Sequence, residues 1–220
     1  MTEYEAFKEL LELDDQEQLT PKQRQIVQAA IEIFSEKGYA STSTSEIAKR
    51  AGVAEGTIFR HYKTKKELLM AIVSPVITKL AVPFIAQSFV KQVFRDGEHK
   101  DFEELLRAMI VNRFEFAKKN VPLLKIVLQE VAFHPELQDR YKHIFREEVL
   151  PHFERFVSHY KEQGLIKDYP SETVLRLVIT TVIGFLVTRF IVMPDADWDD
   201  EAEIDRTIDY ILNGLQTVQD

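Results

Sequence analysis

The 220 residues include no cysteine, so neither a disulfide nor a thiolate metal site can belong to the design, and the chain suits a reducing cytosol. No run reads as a strand, which leaves an all-α chain. The start, Met1-Thr2-Glu3-Tyr4-Glu5, lacks the basic-then-apolar order of a signal peptide. The most apolar region, 170–193, contains Arg176 and Arg189. The uncharged run between them is well short of the ~20 residues a bilayer demands, so no membrane partner is expected. No Ser–His–Asp order, phosphate loop or carboxylate pair stands out, so the sequence predicts no catalytic residue and no cofactor.

What is present is charge of both signs, unevenly placed. The whole chain carries a formal charge of -8. From Pro21 to Lys66, however, nine cations (Lys22, Arg24, Lys37, Lys49, Arg50, Arg60, Lys63, Lys65, Lys66) face four acids, about +5 on a small segment. A basic module within an acidic chain fits a partner made of phosphates, because neutralising them releases counterions and drives binding.

That segment also holds the clearest local pattern. Ser43-Thr44-Ser45-Glu46 and Thr64-Lys65-Lys66-Glu67 each fit a capping box, in which a hydroxyl accepts from the fourth residue's N–H and the acid reaches back. Between them lie a short helix from Ile47 to Ala51, a turn at Gly52, and a second helix from Ala54 to Tyr62. Helix, glycine turn, helix is the build that offers its second helix to the major groove. On that second helix Ala54, Ile58 and Tyr62 recur at i, i+4 and i+8 and are expected to pack inward. The other side carries Gly56, Thr57, Phe59 and Arg60, with His61 near the edge. Gly56 permits a close approach, and Arg60 suits a bidentate contact to guanine, worth roughly 1–3 kcal/mol of discrimination.

Gly52-Val53-Ala54-Glu55-Gly56-Thr57-Ile58-Phe59-Arg60-His61-Tyr62, followed by Lys63 to Leu69, resembles the TetR family of bacterial transcriptional regulators. Phe34-Ser35-Glu36-Lys37-Gly38-Tyr39 matches the lead-in to that pattern, and the close match covers Gln25 to Leu69. The resemblance implies that Thr44 and Ser45 open the first motif helix against phosphates, and that Gly56, Thr57, Phe59 and Arg60 face the groove. It implies phosphate contacts from His61 and Lys65. Phe59 stands where the family usually has Tyr, which removes a hydroxyl. Glu55 places an acid in the first turn, either to accept from cytosine N4 or to favour the helix dipole, the latter being preferred.

Along the chain, residues 1–20 read as an acidic extension, either a partly ordered tail or a short amphipathic helix with Tyr4, Phe7, Leu10 and Leu11 at helical spacing; a sharper reading is that its acids screen the basic module. Residues 21–67 read as a three-helix DNA-binding module: Thr20 caps a first helix starting at Pro21, with Ile26, Ala30, Ile33 and Phe34 inward. Residues 68–220 read as a helical effector-binding and dimerisation domain. Pro75 and Pro83 are expected to kink or break the connecting helix. Helices are further expected over 76–94, 102–120 and 122–133. A long one follows from Pro135 to about Gln163, kinked at Pro151 and ended by Gly164. The helix 171–193 is apolar all round and so needs burial on every side. The last helix, 200–217, carries one stripe of Ile204, Ile208, Ile211, Leu212 and Leu215. Two such helices from each of two chains would make a four-helix homodimer interface, as the family resemblance also implies.

A dimer would read an inverted-repeat operator in double-stranded DNA. An unknown small-molecule effector in the larger domain would shift the connector and move the reading helices apart. Met109, Arg113, Phe116, His134, Phe145, Phe185 and Arg189 are the candidate effector-binding residues, each weighed against simple packing or surface exposure. Repression follows from the resemblance. Two rival readings are a metal-binding helical protein and a scaffold with no DNA contact. The first would use the i, i+4 pairs Glu130/His134 and Glu148/His152. Their spacing differs from the Glu-x-x-His of helical di-iron sites, so no metal is expected. The scaffold gives no reason for Thr57, Arg60 and Lys65 to share one side.

Overall fold

The computed structural model describes residues 19–85 and 102–215. These form ten α-helices and two π-helical turns, with no strand among the described residues. The acidic extension lies outside them except at its last two residues, as do the ends of two expected helices.

Thr20 caps α1 (Pro21–Lys37) with a reciprocal box. Its hydroxyl accepts from the Gln23 N–H, and the Gln23 side chain accepts from the Thr20 N–H. Ile26, Ala30, Ile33 and Phe34 are buried, as their spacing predicts. Gly38 ends the helix at a φ of 85°, which side-chain-bearing residues rarely adopt. Ser43 caps α2 (Thr44–Ala51) through both bonds of the expected box, each 3.2 Å long. Gly52 closes it in the left-handed region and leads to α3 (Glu55–His61). The second expected box is half made. The Thr64 hydroxyl accepts from the Glu67 N–H, but the Glu67 carboxylate reaches one residue further back, to the Lys63 N–H.

Helix α4 (Lys65–Ile85) runs through Pro75 and Pro83 without a break, so of the expected kink or break the second does not occur. An interior proline costs about 3 kcal/mol. Leu68, Leu69, Ile72, Val73, Val76 and Ile77 are all buried around the first of them. At roughly 1.5–3 kcal/mol each, that packing outweighs the lost bond.

The chain folds as two compact units. One gathers the described residues up to Leu80 together with Lys119–Lys142, which include α6 (Val121–Glu130) and α7 (Pro135–His143). Within it α6 packs on α1, and two polar contacts tie α7 to α4. These are Lys66 to Glu136 at 2.5 Å and Arg140 to the Thr78 hydroxyl at 2.9 Å.

The other unit gathers Ala81–Lys118 and His143–Asp220. Its described helices are α5 (Phe102–Lys119), α8 (Leu150–Glu162), α9 (Ser171–Val187) and α10 (Asp200–Leu215). Phe102 meets Phe156 and Tyr160, and Phe114 meets Phe185 and Phe190, so aromatic rings join α5 to α8 and to α9 with its continuation. The expected long helix from Pro135 is interrupted by a π-helical turn, Ile144–Val149, ahead of Pro151. The widened turn absorbs the proline, which sits harmlessly in the first turn of α8. A second π-helical turn, Thr188–Val192, extends α9. Ser171–Val192 is long and apolar enough to cross a membrane by length and composition only, a test that the core helix of a soluble protein also passes, and 28% of its most apolar window is buried within the chain.

Helix α10 corrects one expectation. Its stripe of Ile204, Ile208, Ile211, Leu212 and Leu215 is already covered by its own chain, so it is not open to a second copy. The side it leaves exposed carries Arg206, Tyr210, Asn213 and Gly214.

Candidate nucleic-acid interface

Helix α3 sorts its residues sharply. Ile58 is fully buried and Tyr62 retains 6% of its surface, so two of the three expected inward positions are in the core. Ala54 is not. The helix begins one residue later than its pattern suggests, and Ala54 becomes an exposed N-cap. On the other side Gly56, Phe59 and Arg60 are exposed, Phe59 by 46%, while Thr57 and His61 are half-buried. A Cβ built on Gly56 meets nothing within 4 Å, so no packing within the protein requires glycine there.

The first motif helix presents its start beside α3. Ser45 is exposed, and the Thr44 hydroxyl donates to Glu55 Oε1 at 2.6 Å. The two helices are therefore joined at their opening turns by an acid that sequence reasoning assigned to the helix dipole.

Much of the basic charge is internally paired. Lys37 pairs with Glu46, and Arg50 with Glu32 and Glu36. Lys22, Arg24, Lys49, Arg60 and Lys63 remain exposed outside these pairs. Lys65 is placed differently from its implied phosphate contact. Its ammonium donates to the carbonyls of Tyr39 at 2.7 Å and Thr42 at 2.6 Å, and lies 4.2 Å over the Tyr39 ring. Burial lowers its pKa. This side chain closes the turn between α1 and α2.

The candidate effector residues do not all gather. Met109, Arg113 and Phe116 share one side of α5, with the Arg113 guanidinium 5.0 Å over the Phe116 ring. Burial pushes Arg113 down to about 10. Phe185 is brought to the same helix, 5.9 Å from Phe114 and nearly parallel to it. Phe145 lies half-buried in the first π-helical turn. Arg189 is drawn to the turn before α10, where it donates to Asp200 at 2.5 Å and to the Pro194 carbonyl at 3.3 Å. His134 belongs to the other unit: its Nε2 meets Glu130 Oε2 at 3.1 Å, and its ring stands edge-on to Tyr39.

Sequence reasoning missed Tyr39 and the Thr44–Glu55 bond. It found the Glu130/His134 spacing but read it only as a rival metal site. Among the described residues no three metal-ligating side chains gather.

Residues 26–72 match the model of the bacterial regulatory proteins of the tetR family. The fatty acid metabolism regulator protein of Bacillus subtilis is 46% identical over 55 residues, a match covering 25% of this chain and 28% of that protein. An HTH-type transcriptional regulator of Staphylococcus aureus is 27% identical over 172 residues, covering 74% of this chain and 81% of its own. Among solved structures, the fatty acid degradation regulator FadR of Bacillus halodurans superposes with a TM-score of 0.68 at 22% identity, covering 90% of this chain and 98% of that one. FadR of Bacillus subtilis, solved in complex with stearoyl-CoA, gives 0.65 at 23% identity, covering 86% of this chain and 97% of its own. Residues 26–72 are thus similar to the helix-turn-helix region of the tetR-family regulators, and the helical fold of the described residues is similar to that of these solved structures.

Proposed function

We propose that the chain is a cytoplasmic repressor that binds an inverted-repeat operator as a homodimer and is released by a small-molecule effector. In this reading residues 21–67 read DNA, and residues 68–220 bind the effector and the second copy. Thr44, Ser45, Gly56, Thr57, Phe59, Arg60 and His61 form the DNA-contact set.

The observation that carries this reading is the division of α3. Ile58 and Tyr62 anchor the helix, while Gly56, Phe59 and Arg60 face out with no packing role for the glycine. A scaffold would gain nothing from that arrangement. A single short helix reads too few base pairs to select a genomic site, which is why a two-fold pair is required. The surface for pairing would be the outer side of α9 and α10. There the exposed Ile183 and Tyr210 lie among Thr180, Gly184 and Gly214, small residues that let a facing helix come close.

For the effector we propose an acyl-chain acid, free or as its thioester. Among the described residues the interior of the second unit is apolar and aromatic, with the half-buried Arg113 guanidinium at its side to orient an anionic or carbonyl head. The Bacillus subtilis relative bound to stearoyl-CoA makes this the first class to test. Selection of bound duplexes from a random pool tests the whole reading at once. An inverted repeat whose binding long-chain acyl-CoA abolishes is the expected result; no enrichment over random sequence would overturn it.

A further inference from the structure

The Thr44–Glu55 bond joins the opening turns of α2 and α3, and it also sets an acid beside the proposed DNA-facing side of a protein whose partner would be a polyanion. Glu55 is exposed, at the first position of α3. No side chain caps that helix: the N-cap is Ala54, and the Glu55 carboxylate is turned across to the neighbouring helix. Thr44 holds it there through Oε1 at 2.6 Å. Among the described residues no hydrogen bond engages Oε2. The hydroxyl's proton is given to the acid, so Thr44 is left to approach DNA as an acceptor.

We infer that Glu55, positioned by Thr44, is a specificity-determining residue that reads an exocyclic amino group in the major groove, cytosine N4 or adenine N6. A carboxylate has acceptors only. Brought against guanine O6 or thymine O4 it would meet another acceptor and lose its water without replacement, which is costly for a charged group. Against an amino group the same carboxylate is satisfied. Arg60, on the next turn of α3, has donors only and suits guanine O6 and N7. One helix thus carries an acceptor and a donor element, which would fix the strand on which each base of a half-site lies. Thr44 restricts the carboxylate's rotamers in advance, so less freedom is lost on binding.

The inference rests on the DNA-binding reading above, and its test separates the two. Duplexes are selected from a random pool with the wild-type chain, E55A, E55Q and T44V, each first checked for a wild-type melting profile. The wild type should select cytosine or adenine at one position of each half-site. E55A should lose the preference there alone, with roughly a tenfold or larger fall in discrimination. E55Q should move it toward adenine, which an amide contacts in bidentate fashion. T44V should blur the same position. If E55A keeps the wild-type sequence logo and merely binds every sequence more tightly, Glu55 is only a charge and the inference falls. If T44V keeps the preference that E55A loses, the positioning role of Thr44 falls. If the wild type enriches nothing, the DNA-binding reading falls with it.

Discussion

Glu130 Oε2 and His134 Nε2 lie 3.1 Å apart at the end of α6, both side chains nearly covered, with the Tyr39 ring edge-on to the imidazole at 5.4 Å. Tyr39 stands in the turn that leads into α2, so this pair ties a helix of residues 119–142 to the start of the helix-turn-helix. Burial, with the nearby Glu130 charge, raises the pKa of the Tyr39 hydroxyl. His134→Ala should leave the buried carboxylate without its ring donor and destabilise the protein by about 1–3 kcal/mol. Glu130→Gln keeps an accepting oxygen and should cost less. Urea unfolding of both single variants and the double variant measures the coupling, and additive effects would mean the two groups do not support each other.

Gly56→Ala should separate stability from function. The added methyl meets open space within the protein and improves helix propensity, a gain of up to about 1 kcal/mol. DNA affinity should fall at the same time, because the methyl stands between α3 and the duplex. Thermal melting and operator titration on one sample read both, and a parallel loss would show that Gly56 serves the fold.

Arg60 and Lys65 should part company. Arg60→Ala leaves the melting temperature unchanged and relaxes preference at one base pair per half-site, by roughly 1–3 kcal/mol. Lys65→Ala removes two charge-assisted bonds to the Tyr39 and Thr42 carbonyls. It should lower stability by about 1.5–3 kcal/mol and weaken all DNA sequences alike. A stable Lys65→Ala protein with only a shallower salt dependence would restore Lys65 as a plain phosphate contact.

Low pH should loosen the joint between α1 and α2. The Lys37 ammonium, followed by the Ser43 N–H, holds the Glu46 carboxyl below its ordinary range. A carboxyl lowered in the fold contributes stability that is complete above its unfolded value and lost as pH falls through its folded one. The stability difference between wild type and Glu46→Gln should therefore be constant near neutrality and shrink in the acid limb. Denaturant unfolding at stepped pH and fixed salt checks it; a difference that grows on acidification would reverse the assignment.

The proposed dimer face yields a direct test in Ile183→Asp and Tyr210→Ala. Both side chains are exposed in the single chain, by 47% and 71%, so neither change removes a buried contact. Each should leave the melting profile of the isolated chain in place, shift sedimentation toward monomer, and reduce affinity for an inverted repeat much more than for a half-site. Unchanged sedimentation for both would move the interface elsewhere.

The helix-turn-helix was legible because its signals are local. Ser43 with Glu46, Gly52, and the spacing of Ile58 and Tyr62 act within a few residues of one another. The sequence could not show that Lys65 turns back to Tyr39, since those residues are 26 positions apart. Thr44 and Glu55 posed the same difficulty at 11 positions. His134 looked like part of an effector pocket because it followed an apolar helix, and only the packing of α6 on α1 placed it beside Tyr39.

Local hydrogen-bonding chemistry and periodicity, then, determined the helices, their caps and the outward side of α3, as these depend on neighbours a turn or two away. Tertiary structure alone decided that α4 passes intact through two prolines, that the stripe of α10 is covered by its own chain, and that the charges of Arg189 and Lys65 are held inside the fold. Those outcomes turn on which distant surfaces meet, and burial energy gathered from several elements overrides what any one segment prefers.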